Sequence, residues 1–198
     1  MASALTPVSW QVWCLAILAL GMCMALDWDL REQRIPNTLI VFLLLTGVVM
    51  QTFGPANGRG GLFDYFPGAI GLGAALLGAL VGLTLFLPLY LLRAMGAGDV
   101  KLMAALGAFV GTSDVIGLAL CVLVAGGVIG VVRMLLKRNA KQVMGNVKLI
   151  FAGMTPGGTR FDAATQSVDR MPYAISFAMG LAAFSVWRLS GGPQILGF

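Results

Sequence analysis

Gly96-Ala97-Gly98-Asp99-Val100-Lys101-Leu102 sets a carboxylate where a glycine-rich turn gives way to an apolar run. An earlier apolar run ends on Asp27-Trp28-Asp29, with Asp29 seven residues before Pro36. Only 11% of the chain is charged and 59% is hydrophobic. Acidic side chains placed where hydrocarbon meets water are costly, so two of them at the ends of apolar runs call for a reason.

Working outward, six stretches have the length and composition of membrane-crossing helices: 9–28, 37–54, 67–92, 99–112, 114–136 and 171–190. With 198 residues and a mean hydropathy of +0.91, the chain carries more apolar surface than a soluble domain of its length buries. The expected fold is all-α, a polytopic membrane protein forming a single domain over residues 1–198. The fourth stretch is short: Asp99 to Thr112 rises about 21 Å as a helix, against about 30 Å of hydrocarbon, so it is expected to start below the mean membrane surface. Gly54-Pro55 with Asn57-Gly58 and Gly60-Gly61, then 93–98, then a tight turn at Thr112-Ser113, punctuate the spans. The long connection is 137–170. Within it Val143, Val147, Ile150, Phe151 and Met154 recur at helical spacing, which fits a helix lying in the membrane interface; a solvated linker is the alternative. The first run lacks a basic start and a small-residue cleavage site, so it reads as a retained helix and not a signal peptide.

The net charge of +5 comes from 13 Lys and Arg against 8 Asp and Glu. Arg31, Arg34, Arg93, Lys101, Arg133 and the basic residues of 137–170 fall on one side of the expected spans, and Arg59 and Arg188 on the other. The positive-inside rule assigns the crowded side to the cytoplasm, both termini to the outside, and Asp29 and Asp99 to the cytoplasmic face. This asymmetry speaks of topology and not of nucleic acid. Histidine is absent, and Cys14, Cys23 and Cys121 show no CxxC spacing, so neither a metal nor a cofactor is expected and the cysteines read as apolar filler. Glycines four apart, Gly78/Gly82, Gly107/Gly111 and Gly126/Gly130, read as helix-packing positions.

Two carboxyl groups sharing one proton and a water can hydrolyse a peptide bond, one as base toward the water and the other as acid toward the carbonyl oxygen. Asp29 and Asp99 are the candidates. Asp27 competes with Asp29, but two residues along a helix rotate a side chain by about 200°, so only one can face Asp99. Gly96 and Gly98 are candidate substrate-binding positions: without β-carbons the backbone can take conformations closed to other residues and lets an extended peptide approach Asp99. The bland alternative is a flexible turn with an aspartate cap. Lys101 should face away from Asp99 and reach toward headgroups.

Gly96-Ala97-Gly98-Asp99 resembles the GxGD motif of the type IV prepilin peptidases, a family of membrane aspartic proteases. Asp29-Leu30-Arg31-Glu32-Gln33-Arg34-Ile35-Pro36-Asn37 is similar to that family's first-aspartate motif and selects Asp29 over Asp27. Met171-Pro172-Tyr173-Ala174-Ile175 resembles the segment opening the last helix of smaller members, with Ala174 in place of the usual glycine. The resemblance implies an aspartic endopeptidase that cuts the short basic leader from a prepilin at the cytoplasmic face of a bacterial inner membrane. The partners it implies are the prepilin helix, the bilayer and the pilus assembly machinery. Lacking the CxxC-bearing segment of larger members, the chain resembles a peptidase-only Tad-type member without methyltransferase activity; an archaeal preflagellin peptidase is the neighbouring alternative. The glycine-rich third and fifth helices are expected to receive the substrate helix, at Gly78 and Gly82 in particular. Two rivals from other classes are a proton-coupled transporter using Asp29 and Asp99, and a non-catalytic assembly factor that retains the fold.

Overall fold

The computed structural model describes residues 6–55, 61–64, 66–92, 94–136 and 173–193. The 137–170 connection, with its expected interfacial helix, lies outside them. Thr6 caps the first helix by accepting a hydrogen bond from Ser9 N at 3.2 Å, and Pro7 takes the first helical position, where a missing N–H costs nothing. Helix α1 (Pro7–Glu32) stops at Gln33, which adopts a left-handed conformation with φ 53° and caps the helix through its N–H to Asp29 O. Pro36 then caps α2 (Asn37–Phe53). Helices α3 (Gly71–Leu91), α4 (Ala97–Leu136) and α5 (Ala174–Leu189) follow, and the described residues contain no strand. The stretches Pro7–Glu32, Gly71–Leu91 and Ala97–Arg133 are long and apolar enough to cross a membrane; α2 and α5 are shorter apolar helices.

Unbroken, the 40 residues of α4 would run about 60 Å, twice the hydrocarbon thickness. They do not, because Gly111 breaks the helix with φ 78° and ψ −179°. A β-carbon built on Gly107 would lie 3.1 Å from Val115 Cγ2, although eight residues of straight helix separate such positions by about 12 Å. The chain therefore folds back, giving two helical segments where the sequence reading set its fourth and fifth stretches. The reversal sits at Gly111 and not at Thr112-Ser113, which are helical, because the required backbone conformation is open only to glycine. Gln51 of α2, fully buried, serves this break: its amide nitrogen donates to Phe109 O, and its Oε1 accepts from Ile70 N at 3.0 Å. A carbonyl whose helical partner the break removes thus keeps a donor.

Helices α3 and α4 meet backbone to backbone. A β-carbon on Gly78 would fall inside the contact radius of Gly107 O, one on Gly107 would strike Gly78 O, and one on Gly82 would sit 2.6 Å from Met103 O. This corrects the expectation that Gly78 and Gly82 present a surface to a substrate helix: both are consumed inside the bundle. On the other flank Gly180 of α5 lies against Val122, where a β-carbon would come within 2.6 Å of Val122 Cα. Between these contacts the core is apolar, with Leu18, Leu43, Phe86, Leu106, Phe109 and Phe177 all nearly or fully excluded from solvent. Outward-facing Leu20, Phe42, Leu80 and Val124 remain exposed, as a lipid-facing surface requires. Of the cysteines, Cys14 fills the core as expected, whereas Cys23 is exposed.

The two ends of the bundle differ. At one, Trp10 Nε1 donates to Met50 O at 3.0 Å, and Arg188 near the end of α5 is clamped between acids. Its Nη2 lies 2.7 Å from Asp64 Oδ1 and its Nε 3.2 Å from Asp114 Oδ1, the latter an ion pair without hydrogen-bond alignment. At the other end lie the last turn of α1, the first turn of α4 and the start of α5.

Candidate active site

Helix phase decides which acid of α1 turns inward. Asp29 is buried, while the Asp27 side chain is 58% exposed and pairs with Arg31 Nε at 2.7 Å. Asp29 Oδ2 accepts a hydrogen bond from Ala174 N at 2.9 Å, so the α1 carboxylate meets the first residue of α5 across 145 positions of sequence. A helix N-terminus offers unpaired N–H groups and a favourable dipole to an anion, and Asp29 uses one such N–H.

Asp99 is equally buried and stands in the first turn of α4. Its Oδ2 accepts from Gly96 N at 3.1 Å, and its own N–H donates to Gly96 O at 3.2 Å, so the glycine turn and the carboxylate close on each other. Asp29 lies within Coulombic reach of Asp99. The fold thus brings together the two acids singled out in the sequence and leaves Asp27 outside. Lys101, exposed, turns away as expected and donates from Nζ to Asn37 Oδ1 at 3.1 Å.

The glycines act differently from the expectation. Neither Gly96 nor Gly98 has a positive φ, so unusual backbone conformation is not what these positions provide. A β-carbon would meet only ordinary contacts at either position, 3.4 Å from Asp99 Oδ2 at Gly96 and 3.6 Å from Ile35 Cβ at Gly98. The Ile35-Pro36 link between α1 and α2 therefore packs directly on the turn that carries Asp99.

Tyr173 completes this end. Its hydroxyl donates to Ala94 O at 2.7 Å. A phenol is protonated at neutral pH, so this hydroxyl is available there as a donor. The sequence names this segment without giving it a role, since its partners are a backbone carbonyl and a carboxylate far away in the chain. The Asp64–Arg188–Asp114 cluster was not anticipated at all.

The chain matches the model of the type IV leader peptidase family over residues 14–131, a stretch holding both aspartate motifs. The chain belongs to the type IV leader peptidase family. A relative, the prepilin leader peptidase/N-methyltransferase of Stutzerimonas stutzeri, is 31% identical over 137 residues, which cover 66% of this chain and 43% of that protein. The chain therefore spans less than half the length of that relative. No solved structure matches. As a leader peptidase family member with apolar helices of crossing length, the protein is a multi-pass membrane protein.

Proposed function

We propose that this member of the leader peptidase family is a membrane aspartic endopeptidase that removes the short basic leader of a prepilin, with Asp29 and Asp99 as the catalytic pair. The observation that carries the reading is that two acids 70 positions apart are buried together at one end of the bundle, each with one oxygen tied to a backbone N–H. The second oxygen of each carboxylate then serves a shared water. The ionised aspartate takes a proton from that water, whose oxygen adds to the scissile carbonyl carbon, while the protonated aspartate gives its proton to the carbonyl oxygen. Collapse of the tetrahedral diol breaks the C–N bond, and the amine leaves with a proton from the pair.

The finer features of the reading are a cytoplasmic position of the pair, a Tad-type pilin as substrate, and peptidase action without methyl transfer. Arg31, Arg34 and Lys101 at the carboxylate end, with Arg188 at the other, support the cytoplasmic position through the positive-inside rule. A proton relay is disfavoured by the apolar layer of Leu102, Met103, Leu106, Phe109 and Phe177 that separates the two charged ends.

The test is cleavage of a co-reconstituted prepilin. Asp29→Asn and Asp99→Asn should each abolish it, and Asp27→Asn should cleave like wild type. A pair sharing one proton also gives a rate that rises as the first carboxyl ionises and falls as the second does. Undiminished cleavage by both Asp29→Asn and Asp99→Asn would refute the reading.

A further inference from the structure

The residues that open α5 bond to Asp29 directly and to the turn that carries Asp99. Ala174 N–H donates to Asp29 Oδ2 at 2.9 Å, while the adjacent Tyr173 hydroxyl donates to Ala94 O at 2.7 Å. Two residues past Ala94, Gly96 N–H donates to Asp99 Oδ2 at 3.1 Å. The turn between them is fastened by Ala94 N to Leu89 O at 2.9 Å and by Asp99 N to Gly96 O at 3.2 Å. A short path of covalent and hydrogen bonds therefore leads from Asp29 through Ala174, Tyr173, Ala94 and Gly96 to Asp99. The phenol is the side-chain link in it that is not itself a carboxylate.

We propose that Tyr173 is a positioning residue of the pair: by holding the Ala94–Gly96 turn against the start of α5, it sets the separation and orientation of Asp29 and Asp99. The proposal rests on the reading of these two acids as the catalytic pair. Its physical basis is that α1 and α4 have no covalent reason to keep their acids at one distance, and hydrolysis through a shared water tolerates little error in that distance. Without the hydroxyl, the part-buried Ala94 carbonyl loses its donor. The turn then relaxes, and the Gly96 N–H is no longer aimed at Asp99. The ring of Tyr173 remains in phenylalanine, so packing is kept.

The experiment compares Tyr173→Phe with wild type in liposomes containing prepilin, with Tyr90→Phe on the exposed face of α3 as control. Expected is a fall in kcat of about tenfold to hundredfold, a displaced pH profile and little change in KM or melting temperature, with the control unaffected. A second readout needs no turnover: infrared titration of the carboxyl band that Asp29→Asn and Asp99→Asn remove. Its midpoint should move by about half a pH unit or more in Tyr173→Phe, the size expected from a weakened hydrogen bond to an ionised group. Should that variant fail to insert, Tyr173→His retains a ring N–H donor and should give a smaller displacement of the same midpoint. A Tyr173→Phe enzyme with wild-type kcat, pH profile and carboxyl midpoint overturns the positioning role and leaves the peptidase reading standing. If wild type itself cleaves no prepilin, the peptidase reading fails, and the infrared midpoint alone decides: a shift supports the positioning role, an unchanged midpoint overturns it.

Discussion

Replacing Gly111 by alanine tests whether the reversal of α4 is fixed by backbone sterics. With φ 78° and ψ −179°, Gly111 occupies a region open in practice only to glycine, and holding another residue there costs about 1–3 kcal/mol. The new β-carbon would also lie 2.5 Å from Ile70 Cδ1. Because that atom is the tip of a flexible side chain, it can move aside, at about 1 kcal/mol for an off-rotamer arrangement. Together these give about 2–4 kcal/mol, or a melting temperature lower by about 5–15 °C for a chain of this size. The assay is thermal unfolding in detergent beside Gly130→Ala, where nothing lies within 4 Å of the added carbon. That control gains up to about 1 kcal/mol of helix propensity. Equal melting temperatures for the two variants would refute the argument, since they would show that the chain can reverse at position 111 without a glycine conformation.

Gly78→Ala forces a methyl group into the Gly107 carbonyl, with only backbone to give way, and should cost about 1–3 kcal/mol in the same assay. Gly73→Ala, with open space around it in α3, should be neutral to stabilising by up to about 1 kcal/mol, and a Gly78→Ala variant that matches it would show that the two helices do not meet as described. Arg188→Met strands Asp114, 2% exposed, without its cation and should destabilise by about 3–5 kcal/mol. Adding Asp114→Leu should restore much of the loss in chemical denaturation; a double variant as unstable as Arg188→Met would refute the pairing.

From the sequence alone came the all-helical membrane class and the two acids as candidates, because length and hydropathy set what a bilayer accepts and an acidic group at the end of an apolar run stands out. The preference for Asp29 over Asp27 came from a motif; its physical cause, that one acid turns inward while the other pairs with Arg31 in the open, needed the helix phase relative to neighbours. The same holds for the glycines. Their spacing signalled close helix contact, yet only packing decided that Gly78 and Gly107 face each other inside the bundle and not a substrate. The reversal was legible to within a residue or two at Thr112-Ser113, where polar residues interrupt the apolar run; that it falls on Gly111 follows from the backbone conformation the turn requires. What no periodicity carries is a contact between distant parts of the chain: Gln51 with Phe109, Arg188 with Asp64 and Asp114, Ala174 with Asp29, Tyr173 with Ala94. Hydrogen bonds and ion pairs act over a few ångströms and are indifferent to separation along the chain, so only the packed fold determines which of these groups meet.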